Sequence, residues 1–250
     1  MTQAVAITRM SVRSMLRLRR FLLLVGVELI PALIYPLAAN QATDQRSLTV
    51  AIEMSLVFFL PLLVPIVALI ISSSALGDER RDGTLSFLVL RPISRYLIAF
   101  SKVVAAAAAA VLINGIGAAA LAGAYFLVSG SWSLLVPLLV GGAIASIGYV
   151  AIFVPLGYLT DRAVIIGLVF VLIFENGIAR ALSGVASLSP WRIGYSAMAA
   201  LFPSEASFDA ADLGVDAIAP GVWGALAKMA VLVIISVAFI GTLFKRRDLT

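Results

Sequence analysis

Chemistry inside an apolar chain needs polar groups, and in this one they are few enough to take individually. Glu28 falls seven residues into an apolar stretch that starts at Phe21, about 10 Å along a helix at ~1.5 Å per residue, with Pro31 weakening the helix just beyond it. A carboxyl at that depth points to a translocation cavity or a basic partner. The plainer alternative is a group held neutral by burial and hydrogen-bonded to a neighbouring helix. Glu175, Asn176 and Arg180 form a second polar set. Glu175 and Arg180 are five residues apart and face different sides of a helix, whereas Asn176 and Arg180 share a face that can bind another helix or line a polar pocket. Glu28, Glu175, Asn176 and Arg180 are therefore the candidate lining of a translocation path.

The third set is the stretch Gly77 to Lys102, GDERRDGTLSFLVLRPISRYLIAFSK, a charged interruption between two apolar blocks. Five consecutive charges, Asp78 to Asp82, cannot lie unpaired in hydrocarbon, so they face water or another protein. Gly83 gives a flexible point, Thr84 is a suitable N-cap, and Leu85, Leu88 and Val89 follow at spacings that share one helical face. A short amphipathic helix is expected there, with Pro92 opening the next helix in its first turn. Arg95 and Lys102 are two turns apart near that helix's N-terminus, where the macrodipole disfavours cations. Lipid phosphates or an acidic neighbour such as Glu79 would have to hold them, unless they simply snorkel to the interface.

The elements that position these groups follow from composition. Hydrophobic residues make up 62% of the chain and charged ones 12%, with a mean hydropathy of +1.10, which places it among integral membrane proteins. Cysteine and histidine are both absent, which removes disulfides, thiol nucleophiles, ordinary zinc sites, Ser-His-Asp triads and histidine proton relays. The fold class is all-α and polytopic, because continuous apolar runs satisfy their backbones only as helices. Six spans are expected, roughly 21–38, 54–76, 97–128, 134–159, 163–182 and 222–244, in a single transmembrane domain over residues 1–250.

Fourteen of the eighteen bases fall on one side of that topology, in the N-terminal arm, the 80–102 stretch, Arg162 and the tail; Arg46, Arg180, Arg192 and Lys228 fall at or near the other. This excess places both termini in the cytosol of a cell-membrane protein. The net charge of +5 is then membrane orientation, and no nucleic-acid partner is expected. Within residues 1–20, Arg9, Arg13, Arg17 and Arg20 form a basic face opposite an apolar one, as in an interfacial helix on the cytosolic leaflet. A signal peptide is disfavoured because the basic region is long and Pro31 and Pro36 interrupt the apolar part.

Small residues from Ala105 to Ala110 and at Gly115, Gly117, Gly123, Gly141, Gly142, Ala145 and Gly148 predict close helix packing. Between spans five and six, Trp191, Tyr195, Met198 and Phe202 fall at helical spacing, predicting a short helix that lies at or dips into the outer surface. Asp209, Asp212 and Asp216 then share a face; it would suit a hard cation, but a solvated acidic face is the expectation and no metal site is assigned.

Gly77 to Thr84 lacks the lysine of a phosphate-binding loop and carries acids where phosphates would sit, so this chain hydrolyses no ATP itself and is not expected to be an enzyme. Glu79, Gly83-Thr84-Leu85, Leu88, Pro92, Ser94-Arg95 and Lys102 together resemble the E-x-x-x-G-T-L-x-x-L-x-x-x-P-x-S-R pattern, followed by lysine, of ABC type-2 transporter permeases. The resemblance spans the chain: a basic interfacial helix, six spans, a charged loop after the second, and an outer re-entrant segment over 183–221. It departs at Leu90-Arg91, where family members usually place a small or polar pair, and at Glu28.

The resemblance implies a permease subunit, as a homodimer or beside a related permease, that recruits two ATPase subunits to its cytosolic face and exports by alternating access. ATP and magnesium would be held by those partners. Residues 79–90 would be the coupling helix, with Glu79, Arg80, Gly83, Thr84, Leu85, Leu88, Val89, Pro92, Arg95 and Lys102 as the ATPase contact. The competing expectation is an ion-coupled carrier that uses Glu28 and Glu175 as proton or cation sites; the lack of an evident inverted repeat weighs against it.

Overall fold

The computed structural model describes residues 2–39, 43–81, 94–178, 187–202 and 221–246. The expected coupling helix, with Gly83, Thr84, Leu85, Leu88, Val89 and Pro92, lies outside them, as do Arg180 and the aspartates at 209, 212 and 216. Among the described residues the chain is helical and contains no strand.

Helix α1 (Thr2–Met15) is followed by α2 (Leu18–Glu28) and α3 (Ile30–Ala38), which together form the first apolar span, interrupted at Leu29. Pro31 has no N–H to return to the Val27 carbonyl, which accounts for the break. The second span comprises α4 (Asp44–Met54), a π-helical segment Ser55–Leu63 and α5 (Val64–Arg81). Pro61 and Pro65 deprive this span of two backbone donors four residues apart, and a wider helical turn is one way to accommodate them. Then come α6 (Arg95–Ser129), α7 (Leu135–Leu159), α8 (Ala163–Val169) with its π-helical continuation Phe170–Ile178, α9 (Pro190–Ala199) and α10 (Gly221–Arg246).

Among the described residues, five helical stretches are long and apolar enough to cross a bilayer: Leu18–Ala38, Arg46–Arg81, Arg95–Ser129, Leu135–Leu159 and Gly221–Phe244. The sixth expected span is described only as far as Ile178, and its apolar part, Ala163–Glu175, covers about 20 Å against a hydrocarbon core of ~30 Å.

Helix α6 does not start at Pro92. Ser94 has an extended backbone, and its hydroxyl accepts from the Leu97 N–H at 3.2 Å, so Ser94 caps a helix whose first residue is Arg95. At about 50 Å, α6 exceeds the hydrocarbon thickness, which lets its first turns project beyond the apolar slab. Its other end stops at Gly130, where φ of 70° is open to glycine and the N–H returns to the Phe126 carbonyl at 2.8 Å.

The core lies around α6 and α7. Helix α6 packs against α1, α2, α3, α5, α7 and α10; helix α7 packs against α5, α6, α9 and α10. Glycine sets these approaches: a Cβ on Gly141 would lie 2.9 Å from the Gly194 carbonyl oxygen, and one on Gly148 would lie 2.8 Å from Pro190 Cβ. The small-residue stripe therefore does pack helices at Gly117, Gly141, Gly142 and Gly148, but not at Gly123, where a Cβ would meet nothing within 4 Å. Asn114 of α6 donates to Ser146 of α7 at 2.7 Å, a buried polar link between the two central helices. Asn114→Ala is expected to lower stability by about 0.6 to 1.7 kcal/mol, read as the thermal midpoint in detergent; an unchanged midpoint would show that the link contributes nothing.

Two sequence expectations are corrected. The basic face at Arg9, Arg13, Arg17 and Arg20 is not one continuous helix, because α1 ends at Met15 and Arg17 is extended (φ −61°, ψ 136°) ahead of α2. Arg17 and Arg20 thus belong with the first span, while α1 packs on α6 through buried Ser11 and Met15. Helix α9 follows the dipping alternative and not the surface one, since Pro190 through Met198 are all buried; the correction concerns Arg192, read from sequence as a base at the outer face and buried here with the rest. Its glycine and alanine contacts let it sit directly on α7, so tertiary packing covers both of its sides.

Candidate functional site at the charged end of the bundle

The last turn of α5 is Asp78-Glu79-Arg80-Arg81. Four successive helical residues fan out at ~100° intervals, so each side chain reaches a different neighbour. Asp78 lies 3.9 Å from Arg20 of α2 and pairs with Arg81 one turn on. Glu79 pairs with Lys102 of α6. Arg80 donates to the Tyr158 carbonyl at 2.8 Å and pairs with Asp161 in the turn after α7. The residues immediately before segment 82–93 are thus tied to the first, third and fourth spans.

These ties differ in strength. Asp78, Arg81 and Arg20 are substantially exposed, and such pairs contribute about 0–1 kcal/mol. Lys102 is 3% exposed, so its ammonium depends on Glu79 for compensation. Lys102 is the eighth residue of α6, past the first turn where the macrodipole acts, so its need for a carboxylate comes from burial. The Arg80 guanidinium meets α7 at its C-terminal carbonyls, the end where a cation is favoured. Arg95, on the far side of segment 82–93, makes the same kind of contact with α10, donating to the Phe244 carbonyl at 3.4 Å. The Tyr158 and Phe244 rings meet edge to face at 5.2 Å, closing the ring between α7 and α10.

Directly beneath this collar α5 and α7 cross backbone to backbone. A Cβ on Gly157 would lie 2.9 Å from Ser73 Cα and 3.1 Å from the Ser72 and Ser73 carbonyl oxygens; one on Gly77 would lie 3.1 Å from the Gly157 oxygen. The crossing brings the end of α5 close enough for Arg80 to reach Tyr158. Sequence reasoning singled out Glu79, Arg80, Arg95 and Lys102, as an ATPase contact, and the structure gives each an intrachain partner; it did not single out Asp161 or Gly157. The available signal was Asp161 beside Arg162 in a turn on the same side as the charged stretch.

The intramembrane candidates fall into separate places. Glu175, fully buried, accepts from Tyr149 of α7 at 2.8 Å and from Ser189 at the start of α9. Arg192 is near enough to act on it electrostatically, and its guanidinium carbon stands 5.2 Å from the Trp191 ring centroid. In this arrangement Glu175 joins the π-helical segment to α7 and α9. Asn176 belongs to the same segment, its side chain lying outside the described atoms. Glu28 is 1% exposed and packs against Gly117 of α6, where a Cβ would lie 3.0 Å from Glu28 Cβ. Neither Glu28 carboxylate oxygen has a hydrogen-bond partner among the described residues, and no described contact joins it to the Glu175 cluster.

Among the described residues no group of three or more acidic ligands is placed to hold a metal. Among curated proteins, none matches the chain significantly. A family model described as "ABC-2 family transporter protein" matches residues 13–176, which include α2, the whole collar except the Phe244 contact, and Glu175. With about two thirds of its length matched, multiple helices able to cross a bilayer and a charged collar between the second and third of them, the chain belongs to the ABC-2 family of transporter membrane proteins.

Proposed function

We propose that this permease component works as a dimer with two ATP-hydrolysing subunits, exports its substrate by alternating access, and receives their motion through segment 82–93. Family membership supports an ATPase partner in general terms. The observation that carries the specific reading is the collar, in which both roots of the segment are anchored to other spans, through Asp78 to Arg81 on one side and through Arg95 and Lys102 on the other. A push on such a segment cannot be absorbed locally; it is passed to α2, α6, α7 and α10 together. The apolar residues Leu85, Leu88 and Val89 suit a groove on the partner, with flanking charges setting register. ATP and magnesium belong to the partner. Both termini lie on the partner's side of the membrane, as the distribution of bases indicates.

Leu88→Asp is expected to reduce co-purification of the ATPase at least tenfold while leaving the permease's own elution profile unchanged. Undiminished co-purification would remove the segment from the interface. Transport that persists without any ATPase and is abolished by Glu28→Gln would replace the proposal with ion-coupled transport.

A further inference from the structure

The two halves of the first span are held to the bundle in unlike ways. Helix α3 is anchored by Tyr35, fully buried, whose hydroxyl donates to the Ser47 carbonyl at 3.1 Å and whose ring meets Tyr125 of α6 edge to face at 6.3 Å. Helix α2 buries only Leu24 and Glu28, one turn apart, so one of the two side chains that seat it is a carboxyl. That carboxyl fills the notch left by Gly117 of α6, where a Cβ would lie 3.1 Å from the carboxyl carbon. Both of its oxygens are enclosed, and neither has a hydrogen-bond partner among the described residues. The helix breaks at the very next residue, Leu29, so α2 can swing there while Tyr35 keeps α3 in place.

No charge compensates this carboxyl from the elements around it. Helix α2 packs on α6, α3 and the π-helical segment Ser55–Leu63, and that segment has no ionisable residue. On α6 the nearest ionisable residues are Tyr125, eight residues past Gly117, and Lys102, fifteen before it and paired with Glu79. Helix α3 offers Tyr35, turned to Ser47, and α2 itself has Arg20 eight residues away, 3.9 Å from Asp78 of α5 at the collar. Among the described residues no charged side chain acts on Glu28. An ionised carboxylate in this notch has neither counter-charge nor donor, whereas the neutral acid costs far less.

We infer that Glu28 is a proton-binding site that latches α2 to α6: the protonated acid seats the helix, and loss of the proton drives α2 off Gly117 by rotation at Leu29. Because α2 carries Arg20, release also loosens the collar's tie to the first span. The latch closes at low pH and opens as pH rises, and it belongs to the permease alone, whatever its ATPase does.

The test uses the full chain in nanodiscs. Infrared difference spectra of the parent against Glu28→Met, neutral and of similar length, are expected to show the carbonyl stretch of a protonated carboxyl at neutral pH; its absence would overturn the inference. Nitroxides on Leu23→Cys and Leu112→Cys, both exposed positions of a chain without cysteine, then report the separation of α2 from α6 by dipolar EPR, with labelled chains diluted in unlabelled ones. The distance is expected to lengthen by about 2 Å or more between neutral and alkaline pH in the parent. It is expected to stay at its neutral value in Glu28→Met and Glu28→Gln, and to be already long at neutral pH in Gly117→Ala, whose methyl group takes the carboxyl's place. A pH-independent distance in the parent, or the same lengthening in the Glu28 variants, would overturn the latch. If one Glu28 variant fails to fold, the other serves in both measurements, and the parent's own pH dependence still decides.

Discussion

Glu79→Leu is expected to destabilise the protein by about 3 kcal/mol or more, because it leaves the ammonium of Lys102, 3% exposed, without its carboxylate partner. In a chain of this length that corresponds to a fall of roughly 6–12 °C in the thermal midpoint. The double variant Glu79→Leu/Lys102→Met removes both charges, leaves apolar groups of similar reach, and should recover most of the loss, since replacing a buried pair by packed apolar residues is often close to neutral. The two substitutions are thus strongly non-additive. The double variant also separates structure from coupling. It should fold, yet support much lower ATP-driven transport, because the direct tie between the end of α5 and α6 is gone. Full transport activity in a stable double variant would show that the pair serves stability alone.

Gly157→Leu is the second substitution with a large expected effect. Its Cβ would meet Ser73 Cα at 2.9 Å and two backbone oxygens at 3.1 Å, none of which can rotate away as a side-chain tip can. Helix α5 must therefore move off α7, which carries Arg80 away from the Tyr158 carbonyl and from Asp161. Overpacking of this kind costs about 1–3 kcal/mol before the loss of the Arg80 contacts is added. Lower yield of folded protein and loss of transport are expected together. Gly123→Leu, where a Cβ has open space, serves as the matched control for stability and should leave it within about 0.5 kcal/mol of the parent. Equal midpoints for the two leucine variants would show that the crossing tolerates separation.

Much of this was legible before the structure, for identifiable reasons. Long apolar runs permit only helices, and charges between them cannot enter hydrocarbon, so the helical class, five of the six expected spans and the place of the charged stretch between the second and third followed from patterning. Lys102 was expected to meet lipid phosphates or an acidic neighbour such as Glu79, or to snorkel to the interface, and of these the structure has Glu79. Other features depend on the third dimension. Arg192 looks like any interfacial base in sequence; only the approach of α9 to α7 at Gly141 and Gly194 encloses it. The stripe of arginines from Arg9 to Arg20 kept helical spacing across a break that a single extended residue, Arg17, introduces. Helical spacing placed Glu28 in the membrane but could not show that Gly117 makes the room for it. The two π-helical segments change which residues share a face, so reading Glu175 against its neighbours at 3.6 residues per turn gave an incomplete account of what it touches.

The central claim is that the polar connection between the second and third spans is where an ATPase engages and from which movement enters the bundle. Because the chain contains no cysteine, Leu88→Cys introduces a single thiol. A membrane-impermeant maleimide should label it in sealed inverted vesicles and not in right-side-out ones, and bound ATPase should protect it. Labelling from the outer face, or labelling that the ATPase leaves unchanged, would contradict the account.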